Sequence, residues 1–247
     1  MAGEPSAAYT KADHAFRAAD PYAGAKYRLT LRWLMPFLSG DALLYNIGMG
    51  GGHFNALLAS ASAIRVVGCE PDPTAFEFAR RSAPEGYELL PVGLGEFARG
   101  RAAANFVVMH DVLEHIEDDD AAARTLRGLV APEGRVILSV PALMSLFGIH
   151  DEELGHFRRY TKASLRKVLE RYFAIERLQW FGMASIPIAW YYSRVRRVPY
   201  PTAGTRSLLG AAYARVCEIE AHLPEPVGTS LIVQLRPRAD VPASAYR

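Results

Sequence analysis

The chain has 247 residues, half of them hydrophobic, with 28 basic against 26 acidic side chains and a formal charge of +2. That is enough for one α/β domain with a sizeable core, and length alone requires no second. The even balance gives no general electrostatic case for nucleic-acid binding, which needs a concentrated basic face; the local exception is Arg194-Val195-Arg196-Arg197.

Residues 1 to about 20 are small and alanine-rich and read as a loose arm or a frayed helix; they hold no apolar core of signal-peptide length. Tyr27, Leu31, Leu34 and Leu38 predict a helix over 25–38, with Lys26, Arg28 and Arg32 largely on its other side. An apolar run over 42–47 then drops into Gly48, Gly50, Gly51 and Gly52, and a helix-like segment follows at 54–60. Strand, glycine turn and helix start make the geometry of a nucleotide-binding βαβ unit, in which the backbone turns sharply and approaches a bulky ligand.

Further strands are expected at 64–69, 87–92, 105–110, 135–140, 173–181 and 229–235. Helices are expected at 74–82, at 117–129 behind an acidic first turn, and at 161–171 with Thr161 as N-cap. A turn at Pro132-Glu133-Gly134 precedes the fifth strand. This alternation predicts a parallel, doubly wound α/β sheet. Glu70 ends the second strand, about 20 residues past the glycine turn, where an acid accepts hydrogen bonds from ribose hydroxyls. Cys69 and Cys217 lie far apart in apolar runs and are expected as buried free thiols in a reducing cytoplasm. No run approaches the roughly 20 apolar residues of a membrane span.

Five segments in this order resemble the class I S-adenosylmethionine-dependent methyltransferases. They are Asn46-Ile47-Gly48-Met49-Gly50-Gly51-Gly52; Val67-Gly68-Cys69-Glu70-Pro71; His110-Asp111-Val112-Leu113-Glu114-His115-Ile116; Pro132-Glu133-Gly134-Arg135 into Val140-Pro141; and the run from His150 to Thr161. The third is close to the DVLEH segment of the small-molecule branch. The last resembles a segment of bacterial methyltransferases often encoded with glycan or secondary-metabolite pathways. The resemblance implies a Rossmann-like sheet of seven strands with the last strand antiparallel. It also implies a single domain over 1–247, a helical cover at 1–40 and a helical insertion or lid at 182–226.

The function implied is methyl transfer from S-adenosylmethionine to an oxygen, nitrogen or carbon nucleophile of a small molecule, in secondary-metabolite, glycan or quinone-like biosynthesis. The cofactor set implied is Asn46, Gly48, Gly50, Gly52, Glu70 and Asp111, with Arg28 reaching from the cover helix. His115, His150 and His156 are the base candidates and Tyr160 a further catalytic one; Arg158 and Asp151 are candidates for holding substrate. Arg158 and Arg159 alternatively pair with the acids of the same loop and only fix it. Glu114 and His115 alone do not make a metal site, and none is assigned. Asn46 stands where the family usually has an acid, which loses charge toward a cationic cofactor. A protein that binds the cofactor without methylating therefore stays open as the alternative; a dehydrogenase is disfavoured by the DVLEH segment and the late seventh strand. Residues 180–200 mix aromatics with arginine and read as a lid, a packed helical hairpin or a peripheral membrane contact. Glu218 and Glu220 read as surface charges. The expected partner is a small-molecule acceptor, with no nucleic acid, no membrane span and a homodimer as an option.

Overall fold

A computed structural model describes residues 20–199 and 208–239. The arm read over the first twenty residues lies almost wholly outside them. Helix α1 (Pro21–Leu34) starts four residues before the apolar periodicity does: Asp20 caps it by accepting from the Tyr22 N–H, and Pro21 occupies the first turn, where no N–H is needed. The chain continues through β1 (Leu43–Ile47), α2 (His53–Ala61), β2 (Arg65–Cys69), α3 (Pro73–Arg81) and β3 (Glu88–Leu90). Next come a short α4 (Leu94–Phe97), β4 (Ala104–His110), α5 (Asp119–Leu129), β5 (Val130–Pro141), α6 (Ile149–Glu153), α7 (Lys162–Leu169) and β6 (Phe173–Phe181). Then α8 (Ile186–Trp190) runs into a π-helical stretch (Tyr191–Arg196), and α9 (Leu208–Glu220) leads to β7 (Ser230–Pro237).

All seven expected strands form, in one sheet of order β3-β2-β1-β4-β5-β7-β6. The first five pair in parallel, and β7 runs antiparallel to both β5 and β6. Side chains alternate across the strands, so each face carries its own core. On β4, Phe106 and Val108 pack with α1, α2 and α9, whereas Val107 and Met109 pack with α4, α5 and α7. Strand order turns back on itself between β1 and β4, and such a switch point opens a crevice at the carboxyl ends of the strands.

Three departures from the sequence reading are local. Strand β5 begins at Val130, and the Pro132–Gly134 turn bulges out within it: Ala104 pairs with Val130 but Phe106 with Arg135. Helix α4 is only one turn long, too short to leave a periodic pattern. Glu220 is buried rather than a surface charge; it accepts from the Ala184 N–H at 2.7 Å. Burial and the neighbouring Glu220 push the Glu225 carboxyl up to about 8. Both cysteines are buried free thiols, which burial pushes up to about 12. Among the described residues no helix is long and apolar enough to cross a membrane.

Candidate active site

The crevice floor is the turn after β1. Gly48, Gly50 and Gly52 all have positive φ, at 64°, 53° and 79°. At Gly48 the requirement is also steric: a Cβ there would stand 2.3 Å from Val112 Cγ2, so only glycine lets the segment after β4 close against this turn. Glu70, at the end of β2, accepts from the Gly50 N–H at 2.8 Å and the Asp72 N–H at 2.9 Å, which ties the two turns together. Asn46 is buried and donates to Asn55 Oδ1 at 2.8 Å. The expected acid position is therefore filled by a neutral amide pair that clamps β1 to α2. A Cβ at Gly50 would meet nothing within 4 Å, so the turn is open on that side.

Helix α1 crosses the carboxyl end of β4 and presents one stripe, Tyr22, Lys26 and Thr30, at four-residue spacing. The Tyr22 hydroxyl donates to Ser230 Oγ at 2.7 Å, Lys26 Nζ donates to Asp111 Oδ2, and Thr30 Oγ1 lies 2.9 Å from His110 Nε2. Lys26 is 2% exposed. Ser139 Oγ donates to the other Asp111 oxygen at 2.9 Å. Burial works against the charged form of Asp111, but Lys26 and Ser139 overcome it and hold the carboxyl down at about 2. The backbone of Asp111 is itself strained, at φ 52°. His110, wedged between the Tyr27 and Phe54 rings, is held neutral; burial, and then Lys26, lower it to about 3.

Sequence reading put Arg28 toward the cofactor. It instead points away from the crevice and pairs with Glu218 of α9. Lys26 is the cation that reaches inward. The signal for it was available in the Tyr22–Lys26–Thr30 spacing, but helical periodicity counts a lysine as solvated.

Beside Asp111 lies a second group. The backbone N–H of Phe157 donates to the Glu114 carbonyl at 2.8 Å and so joins the 150–161 loop to the DVLEH segment. This sets the His115 and His156 rings edge to face, with centroids 4.6 Å apart. His156 Nε2 lies 4.0 Å from Glu114 Oε1, and its Nδ1 lies 2.8 Å from Asp151 Oδ1. Asp151 also accepts from Arg159 Nε at 2.8 Å and from the Gly148 N–H at 3.1 Å. Glu114 is fully buried, and neither of its carboxylate oxygens has a hydrogen-bond partner among the described residues. Burial, together with the negative charge of Asp111, holds its carboxyl well above the usual range and favours the neutral acid. His115 is the exposed member. Glu114, His115 and His156 each present one ligand atom, all within 4.8 Å of one another, so the third residue that sequence adjacency lacked for a cation site is supplied across the loop.

Among the remaining candidates, Asp151 joins this group from behind, through His156. His150 sits half-buried on α6. Asp151 is fully buried and serves His156 and Arg159 rather than facing a ligand. Tyr160 is 1% exposed; its hydroxyl donates to Asp119 Oδ2 at 2.9 Å, and burial, then Asp119, raise it far above the usual phenol range. Arg158 pairs with the same Asp119 at 2.9 Å. The dense ionisable loop is thus largely paired, within itself through Asp151 and outward to Asp119, with His156 as its contribution to the group beside Asp111.

An open glycine turn, a strand-end acid at Glu70 and the Asp111–Lys26 pair suit a nucleoside carrying an amino-acid tail. A family model for the methyltransferase domain matches residues 29–180. An uncharacterised methyltransferase of Mycobacterium leprae (strain TN) is 28% identical over 134 residues, covering 51% of this chain and 47% of that protein. The chain therefore spans about half the length of the curated relatives it matches. Among solved structures, the cyclopropane synthase MmaA2 of Mycobacterium tuberculosis superposes with a TM-score of 0.60 at 17% identity, covering 90% of this chain and 93% of that one. The N-methyltransferase NodS of Bradyrhizobium japonicum, solved with S-adenosylhomocysteine, gives 0.57 at 14% identity over 88% of each chain. With more than half of its length inside the family model and the seven-stranded sheet complete, the chain belongs to the methyltransferase domain family and has the class I S-adenosylmethionine-dependent methyltransferase fold.

Proposed function

We propose that this protein transfers the methyl of S-adenosylmethionine to an oxygen, nitrogen or carbon nucleophile of a small molecule. The observation that carries the reading is the Glu114–His115–His156 group standing beside Asp111 at the crevice end of β4 and β5. When bound, the cofactor supplies an electrophilic methyl on a sulfonium. Glu70 takes the ribose hydroxyls, the glycine turn admits the nucleoside, and Asp111 takes the ammonium of the methionine part. Lys26, buried behind Asp111, is a positioning residue that fixes its charge and direction. His115, the exposed imidazole, removes the acceptor's proton and carries its charge, with His156, oriented by Asp151, packed edge to face against it. Much of the acceleration then comes from placing the nucleophile in line with the methyl. In this reading α1 is the cover of one methyltransferase unit and 182–226 its insertion.

The test is calorimetry with S-adenosylmethionine, followed by transfer of a labelled methyl into the small-molecule fraction of a cell extract. His115→Ala and His156→Ala should each lower transfer by roughly 10²–10³-fold while cofactor affinity stays within a factor of about three. No cofactor binding at millimolar ligand sinks the reading, and full transfer by both variants removes the base assignment. A second reading rests on the same three side chains: a divalent cation held by Glu114, His115 and His156 would polarise the acceptor instead. Loss of transfer on chelation, restored by a divalent metal, selects it.

A further inference from the structure

Thirteen large hydrophobic side chains are exposed among the described residues, and ten of them fall between Met183 and Leu223. The apolar surface is therefore a property of the insertion between β6 and β7, not of the molecule at large. Charge is segregated in the same place: from 177 to 217 the sequence holds six arginines and no Asp, Glu or Lys, in a chain whose net charge is only +2. Helix α8 and its π-helical continuation bury Ala189 and Ser193 on one side. The other side exposes Ile188, Trp190, Tyr191 and Val195, at 43–54% each, with Arg196 and Arg197 directly after. This stretch is fastened to the protein: Ser193 Oγ donates to the Leu146 carbonyl at 2.9 Å and Arg194 Nε to the Ser145 carbonyl at 2.9 Å.

We infer that this face docks on an anionic membrane surface, with Trp190, Tyr191 and the aliphatic side chains entering the headgroup layer and the arginines meeting lipid phosphates. Three arguments select that occupant. An apolar face rimmed by cations, with aromatics at the boundary, matches the amphipathic interface of a bilayer. A second copy of the chain, meeting this face through a two-fold axis, would set arginine against arginine. A nucleic acid would use the arginines and aromatics but leave Ile188, Val195 and Val198 without a counterpart. The inference is independent of which acceptor is methylated. The docking face adjoins the 142–148 loop, which leads directly into α6 and the histidine loop, so the crevice approach lies beside the bilayer.

The experiment is co-sedimentation of the full chain with vesicles of phosphatidylcholine alone and of phosphatidylcholine mixed with phosphatidylglycerol, with tryptophan emission followed in parallel. Partitioning to the anionic vesicles should be about tenfold stronger or more and should weaken with salt. Arg196→Glu with Arg197→Glu should remove that preference. Trp190→Ser with Val195→Ser should lower partitioning on its own and abolish the blue shift. Cofactor affinity, unchanged in all four exposed substitutions, verifies that the variants are folded. Equal partitioning to both vesicle types overturns the inference, as does indifference to both pairs of substitutions. Retention on an RNA oligonucleotide, or dimerisation lost with Trp190, in the absence of vesicle binding, overturns it equally.

Discussion

Asp111 and Glu114 are three residues apart on the same turn, and the fold treats them in opposite ways. Asp111 has an ammonium on one oxygen and a hydroxyl on the other, and with its side chain 40% exposed it stays charged. Glu114 is fully buried, with no hydrogen-bond partner for its carboxyl oxygens among the described residues, and is driven toward the neutral acid. The contrast divides the crevice into a side that holds fixed charge and a side where a buried acid is kept neutral. It also shows that a carboxylate's role here is set by what the neighbouring element delivers: α1 brings Lys26 to one, and the 150–161 loop brings His156 to the other.

Removing the fixed-charge side should have the largest effect. Asp111→Asn strands a buried ammonium and is expected to lower stability by about 3–5 kcal/mol; Lys26→Met leaves a carboxylate that still meets water and should cost less. The double variant should recover a large part of that loss, and a thermodynamic cycle of melting experiments measures the coupling. Simple additivity would mean that the pair is not the unit described above.

Glu114→Gln sharpens the other half of the comparison and works in the opposite direction. A carboxyl whose folded pKa is raised binds its proton more tightly in the folded state. Its contribution is therefore fully present below the ordinary value of 4.5 and is lost as pH rises toward the folded value. The glutamine variant should melt higher at neutral pH, by about 1 kcal/mol or roughly 2–4 °C, and the advantage should vanish in acid. Methyl transfer should fall at the same time. A variant that gains stability and keeps full transfer would make Glu114 a packing residue.

The smallest effect is expected at Arg28. Its pair with Glu218 is partly exposed on both sides, so Arg28→Ala should cost about 1 kcal/mol or less and leave calorimetric cofactor affinity unchanged. A tenfold loss of affinity would return Arg28 to the cofactor site.

The sheet was legible because its strands are β-branched runs closed by glycine, proline or acid, and burial on both faces leaves such runs nearly unbroken. The glycine turn, Glu70 and the DVLEH segment were legible for the same local reason. What sequence did not disclose was pairing across distance. Lys26 looked solvated because its partner is 85 residues away. Tyr160 and Arg158 looked functional because their shared partner, Asp119, is about forty residues back. Asp151 looked like a ligand for substrate because nothing in a linear segment tells a histidine's support from a substrate's. Asn46 looked like a missing charge, whereas Asn55 completes it as an amide clamp.

The place of β7 also has a consequence for how the molecule is made. Strand β6 touches the sheet only through β7, which is inserted between it and β5 and lies almost fifty residues further along the chain. As the polypeptide leaves the ribosome, β1 to β5 can assemble in order, but β6 must wait with both of its edges open. During that interval the apolar, arginine-rich segment of 183–223 is also emerging. The final strand is therefore a lock that turns last, and the nascent chain is most exposed to wrong association just before it arrives.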